Sequence, residues 1–329
     1  MRRNSLQTRK KLGRSIFGFS LIVSAIFWIV ALFFSSPSLP TNPFVLNIFQ
    51  NFPNEASTGF AFVAFLVVGY LLIPLNNKFG LIQIRASLQT SFFFLFVSAC
   101  PFLHKAQIGI IIPFLFLGIL FTLFSSYQEK RSGTLLFQTF IYLGIISLLI
   151  PQFLFFIPIL LIASLMVQSL NTKSFCASLL GYITPYWFLF AFAFFTQQMD
   201  YFYAPFKEAF HWHSDFLVYN LSIVHLITLG YFLALFIISS LHYVINRHRN
   251  KLNIRTFLNV IILITTTLYL FVILQPIHLT LLFPCIFIGN SILVAHLFAL
   301  TKGKWANGFF ILASMGLFAI FVLNLWNLL

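Results

Sequence analysis

The chain reads as an all-α, polytopic membrane helix bundle, and three observations carry that reading. Of its 329 residues, 60% are hydrophobic and only 7% are charged, against roughly 45–50% and about 25% in an ordinary soluble domain. With 5 acids and 19 Lys plus Arg, for a net charge of +14, no solvated outer face can be assembled around a core of this size. Apolar runs of about 16 to 24 residues recur along the whole sequence, each near the length that crosses about 30 Å of hydrocarbon as a helix.

The elements follow in order. A basic tail, residues 1–15, holds Arg2, Arg3, Arg9, Lys10, Lys11 and Arg14 and leads into the first apolar run, 16–35. That run ends in Ser35-Ser36-Pro37 with no small-residue cleavage site, which predicts an uncleaved signal anchor. Ten more runs follow at 58–74, 88–103, 108–125, 134–150, 152–168, 177–196, 217–240, 257–274, 279–300 and 308–327, making eleven predicted spans. The fifth and sixth come from one apolar stretch broken by Pro151 and Pro158. It is enough for two short crossings or for a re-entrant pair. All connections are short except two outer loops, 36–57 and 197–216, so residues 16–329 read as a single membrane domain.

Orientation follows from the positive charges, which favour the cytoplasmic side. With the N-terminus in the cytoplasm and the C-terminus in the periplasm, 17 of the 19 Lys and Arg fall inside and only Lys105 and Lys207 fall outside. The acids run the other way: Glu55, Asp200, Glu208 and Asp215 lie outside and Glu129 alone inside. Acids contribute little to topology, so this second asymmetry points to chemistry on the outer face.

The densest chemistry there is Asp200-Tyr-Phe-Tyr-Ala-Pro-Phe-Lys-Glu-Ala-Phe-His-Trp-His-Ser-Asp215. Phe202, Phe206 and Phe210 recur every four residues and predict a short amphipathic helix lying in the interface, with Pro205 in its first turn. Glu208, His211, His213 and Asp215 are candidates for holding a phosphate. His211-x-His213-x-Asp215 is also a weak divalent-metal pattern, because an extended backbone is needed to put all three on one face. Glu55, at the outer mouth of the second span, is a candidate general base whose apolar surroundings could raise its pKa; the plainer reading is a solvated loop acid. His104-Lys105, in a short outer loop, could hold a lipid phosphate or simply snorkel at the boundary. His225 falls within the eighth span and His296 near the end of the tenth, either as intramembrane polar sites or as packed neutral rings.

No P-loop, GxSxG or HExxH is present, so no cofactor is implied. The basic residues sit in short clusters between apolar runs, which excludes a nucleic-acid groove. Cys100, Cys176 and Cys285 are far apart and read as small buried hydrophobes.

The order of further features is Leu72-Ile-Pro-Leu-Asn-Asn77, Ser125-Ser-Tyr-Gln-Glu-Lys-Arg-Ser-Gly133, the Pro-punctuated pair, Ser178-Leu-Leu-Gly-Tyr-Ile-Thr-Pro-Tyr-Trp187, Phe283-Pro284 and Lys302-Gly-Lys-Trp305. Over about residues 60 to 325 this resembles an uncharacterised family of multi-spanning inner-membrane proteins of Bacteroidota. More distantly, the layout is similar to the C-type membrane glycosyltransferases that use polyprenyl-phosphate-linked sugars. That resemblance implies an outer active site with a catalytic acid in the first outer loop, a position that Glu55 alone matches, and a polyprenyl-phosphate lipid as partner. The first outer loop lacks the paired acids of those enzymes, and no large outer domain follows the last span. Two functions follow as expectations. One is a glycosyltransferase-like protein of envelope glycan assembly, with phosphate held near His104, Lys105, Lys207 and the neighbouring histidines. The other is a non-catalytic membrane subunit, either the scaffold of an envelope or secretion machine or a translocator of lipid-linked precursors.

Overall fold

A computed structural model describes residues 2–33, 54–82, 87–105, 108–210, 221–300 and 304–326, and among them every regular element is helical. The helices are α1 (Arg2–Leu32), α2 (Asn54–Phe79), α3 (Leu88–Ser98), α4 (Ile111–Ser125), α5 (Gly133–Leu149), α6 (Ile157–Met166), α7 (Thr172–Phe195), α8 (Asp200–Phe210), α9 (Ile223–Asn246), α10 (Leu252–Leu274), α11 (Leu279–Leu300) and α12 (Lys304–Trp326). Over the described residues the apolar runs fall mainly on helix, although the run 88–103 leaves α3 at Ser98 for a short 3₁₀ turn at Pro101–Leu103. Among the described residues six helices are long and apolar enough to cross a membrane, and five shorter apolar segments accompany them. The chain is a multi-pass helical membrane protein. Helices are the open-ended solution here because each satisfies its own backbone where no water can.

α11 is the centre. Eighteen of its residues are buried, and it packs against α3, α4, α9 and α10. α1 and α2 flank α3, α12 lies against α9, and α5 with α7 forms a wing joined to the centre through α4 and through α6 on α10. The wing is close because two glycines allow it: a Cβ on Gly144 would press on the Tyr182 carbonyl and Pro185, and one on Gly181 would strike the Phe137 carbonyl. Such small residues let helix backbones meet without a hydrophobic driving force between them.

Polar side chains are spent inside the bundle. Ser164 and Ser239 return their hydroxyls to the carbonyl four residues back, which satisfies them without a partner helix. Thr122 and Thr228 make the same back-bond and also join helices: Thr122 meets Thr139 at 2.8 Å and Thr228 Oγ1 accepts from Asn324 Nδ2 at 3.0 Å, while Trp28 Nε1 donates to Ser98 Oγ at 3.1 Å and Asn290 Nδ2 to the Phe232 carbonyl at 3.1 Å.

The bundle has two chemically different ends. At one, Lys78 donates to Ser125 at 2.8 Å, Phe257 packs on Phe79, Phe124 and Tyr127, Gln128 bonds Gln168, and Asn250 bonds His296. These contacts gather the C-terminal ends of α2, α4, α6, α9 and α11 with the N-terminal ends of α5, α7 and α10, and with them Lys78, Lys130, Arg131, Lys173, Arg247, Arg249, Lys251 and Arg255. At the other end, Trp28 stacks on His104, Phe102 packs on His225 and Phe283, and Phe153 and Phe156 pack on Phe271. Lys105, Asp200, Lys207 and Glu208 belong to this second end. The charge sorting read from the sequence is therefore a spatial sorting among the described residues.

One open alternative gains a shape and two expectations change. The stretch from 134 to 168 is a hairpin: α5 runs to the acid-bearing end, a 3₁₀ turn at Pro151–Phe156 reverses it, and α6 returns so that Val167 and Ser169 accept from Gln128 and Ser132 beside the start of α5. Pro205 is not in a first turn. α7 ends at Phe195, Gln197 just after it has a left-handed φ of 54°, and α8 already starts at Asp200, leaving Pro205 buried in mid-helix. Of the cysteines, Cys100 and Cys285 are buried but Cys176 is exposed, on the outward side of α7.

Candidate functional site

α7 and α8 build a concavity at the acid-bearing end. α7 starts at a capping box, in which Asn171 accepts from the Ser174 amide at 2.9 Å and Ser174 Oγ accepts from the Asn171 amide at 2.7 Å. α8 carries Asp200 in its first turn and Lys207 in its last, both favourable to its dipole. Phe202, Pro205, Phe206 and Ala209 lie on one face, spaced three and four apart. Phe202 meets Phe190 edge-on at 5.3 Å and Phe206 lies 5.3 Å from Tyr186. Tyr201 and Tyr203 remain exposed on the opposite side, as an interfacial helix requires.

Between the two helices and the Pro151 turn is a groove of about 390 Å³ lined by Pro151, Leu154, Tyr182, Tyr186, Trp187 and Phe206 among others. Its polar floor is small. Tyr186 Oη meets Ser147 Oγ at 2.9 Å and Tyr182 Oη at 3.4 Å. Gln152, itself buried, ties the turn to α8 by donating to the Glu208 carbonyl at 3.2 Å. No ammonium, carboxylate or imidazole lines this groove among the described residues. Its chemistry suits a branched hydrocarbon chain, which is held by aromatic and aliphatic contact.

The residues singled out from the sequence do not all converge on it. Lys207 is exposed on α8, beside the groove and outside its lining. Lys105 instead lines a separate space of about 20 Å³ beside Phe65 and Leu281, room for about one water. His104 is 3% exposed and stacked on Trp28 at 3.8 Å between ring centres. Burial pushes its pKa down from 6.5 to about 3, so the ring is neutral and offers no edge to a lipid phosphate. His225 lies at the start of its helix, not deep inside a span. α9 begins only at Ile223, Ser222 is its N-cap, and His225 Nδ1 bonds the Ser222 hydroxyl in the first turn. His296 is packed, with Nε2 bonded to Asn250 at 3.0 Å. Glu55 is the second residue of α2, at the acid-bearing end, but its side chain lies outside the described residues, as do His211, His213 and Asp215. Among the described residues no three His, Cys, Asp or Glu groups gather as metal ligands.

Tyr182, Tyr186 and the Pro151 turn were not recognisable as a site from sequence. The available signal was the four-residue Tyr spacing inside Gly181-Tyr-Ile-Thr-Pro-Tyr-Trp187, which puts both hydroxyls on one helical face. No family model, curated protein or solved structure matches the chain.

Proposed function

We propose that the chain is an eleven-span protein of the bacterial inner membrane, N-terminus in the cytoplasm and C-terminus in the periplasm, that handles a polyprenyl-phosphate-linked sugar in envelope glycan assembly. The observation that carries this reading is the apolar groove under α8, at the end of the bundle that holds Asp200, Lys207 and Glu208. A polyprenyl chain is apolar along its length and charged at one end. The groove would take the first isoprene units, and the phosphate would sit at the α8 edge near Lys207. Glu55 would act as the base that takes the proton from an acceptor hydroxyl attacking the sugar's anomeric carbon, with the lipid phosphate as leaving group.

A second reading has its own support. The uncharged groove lining favours a protein that binds or moves the lipid-linked precursor without transforming it, as a translocator or as a subunit of an envelope machine. Photo-crosslinking with a diazirine polyprenyl phosphate tests both. Ile183 lines the groove and is 54% exposed, so Ile183→Trp fills it from the lipid side and is expected to cut labelling about tenfold, the loss of a buried aliphatic contact set. Unchanged labelling overturns the groove assignment. Glu55→Gln is expected to keep labelling and lose surface glycan in a complementation assay; full glycan in that variant leaves the translocator or subunit reading standing.

A further inference from the structure

At the opposite, basic end, the α4–α5 and α6–α7 turns enclose a cleft of about 640 Å³ whose lining includes Lys130, Arg131 and Lys173. We propose that this cleft binds the phosphate of an anionic lipid headgroup. The inference is independent of the groove and of any sugar chemistry at the other end.

The cleft is a constructed shape and not a loose run of positive charge. Its two walls come from turns 40 residues apart in sequence that are fastened to each other three times. The Gln128 amide donates to the Val167 carbonyl at 3.1 Å, Gln128 Nε2 donates to Gln168 Oε1 at 2.9 Å, and Ser132 Oγ donates to the Ser169 carbonyl at 2.5 Å. Gln128 and Gln168 both hold left-handed backbone, φ 55° and 58°, which folds each turn sharply enough to bring Lys130 and Arg131 opposite Lys173. No carboxylate pairs with any of these three cations among the described residues, and Glu129 does not line the cleft. Three cations that line one cleft can share a single anion, which each of them attracts.

The backbone adds donors. Ser132 is positioned to cap α5, but it makes no cap bond and spends its hydroxyl on Ser169. The first amides of α5, at Gly133 and Thr134, thus have no intrahelical acceptor, and both residues line the cleft. Thr172 and Lys173 stand likewise at the start of α7. Cationic side chains and amide donors together match a phosphate monoester or diester. The lipid source follows from what lies beside the cleft: Phe175, Leu179 and Leu180 on α7 and Leu165 on α6 are exposed apolar side chains within about two turns of it. A headgroup in the cleft would lay its acyl chains along that surface.

The test uses the full chain in detergent micelles, with lipid retention read by native mass spectrometry. Phosphatidylglycerol is expected to be retained over phosphatidylcholine. The triple variant Lys130→Gln, Arg131→Gln, Lys173→Gln is expected to reduce its retention by about tenfold or more. A control triple on the same end, Arg247→Gln, Arg249→Gln, Lys251→Gln, removes equal charge and is expected to leave retention within about twofold. Thr134→Asp puts a carboxylate into the cleft at a position that favours the α5 dipole, so it is expected to match the cleft triple in lost lipid while its unfolding midpoint stays or rises. Pyrophosphate separates the sources: weak binding in lipid-free micelles, with no displacement of phosphatidylglycerol from lipid-loaded ones, supports the headgroup, whereas tight binding lost in the cleft triple assigns the site to a soluble ligand and overturns the lipid assignment. Equal loss in both triples, or undiminished retention in the cleft triple or in Thr134→Asp, overturns the proposal.

Discussion

His104 can take up a proton only by giving up its enclosure against Trp28. Its folded pKa of about 3 lies below the ordinary value of 6.5, at which the unfolded chain titrates. Between those values the unfolded state carries a proton that the folded state does not, so stability is full above pH 6.5 and falls as pH drops toward 3. The slope from this one group is at most about 1.4 kcal/mol per pH unit. Unfolding midpoints measured from pH 4 to 8 are expected to decline on the acid side, and His104→Phe, which keeps the stack, is expected to flatten that decline. An unchanged decline in the variant places the acid sensitivity elsewhere. The position of His104 between two helices was legible from the short break between two apolar runs. Its burial was not, because stacking on Trp28 is a contact across 76 positions of sequence that no local pattern encodes.

The α5–α7 wing shows what an element contributes when no water is present to drive association. Its two glycines set the separation of the helices, and the Phe137 carbonyl lies where any larger residue at 181 would have to go. Gly181→Val is expected to force the pair apart and destabilise the fold by about 1–3 kcal/mol, seen as a lower midpoint in denaturant titration; Gly18→Val, with open space around its Cβ position, is the matched control and is expected to show no comparable loss. At this scale the sequence was a good guide to where helices lie, since an apolar run of fixed length has one stable form in lipid. It was a poor guide to how they begin and turn. The start of α8 five residues before Pro205 depends on the left-handed Gln197, and the Pro151 hairpin on bonds between Gln128, Ser132 and the residues after α6, none of which has a periodic signature.

For the whole molecule, the two ends carry different chemistry, and their assignment to sides of the membrane is a topological prediction. Alkaline phosphatase, which needs an oxidising compartment, is expected to be active when fused after Trp326 and inactive when fused after Lys130 or Lys251, with a fluorescent protein giving the reverse. Active phosphatase at Lys130 inverts the orientation, and with it the side on which the groove and the basic cleft lie. The separation into two faces was visible in the order of 24 charges along the chain. The groove was not, because it is made of the same apolar residues as every lipid-facing surface here and differs only in being concave.

The burial of α11 has a further consequence. A helix ringed by α3, α4, α9 and α10 touches almost no lipid, so it is exempt from the matching of apolar length to bilayer thickness that constrains its neighbours. That exemption explains how α11 can hold Asn290, Ser291 and His296, all buried, without cost from hydrocarbon contact. When membrane thickness changes, peripheral helices such as α7 and α12 must tilt or flex, while the central one has no surface through which to feel the change. α11 therefore acts as an axle of fixed length, holding the two chemically distinct ends at a constant distance as lipid composition varies around them.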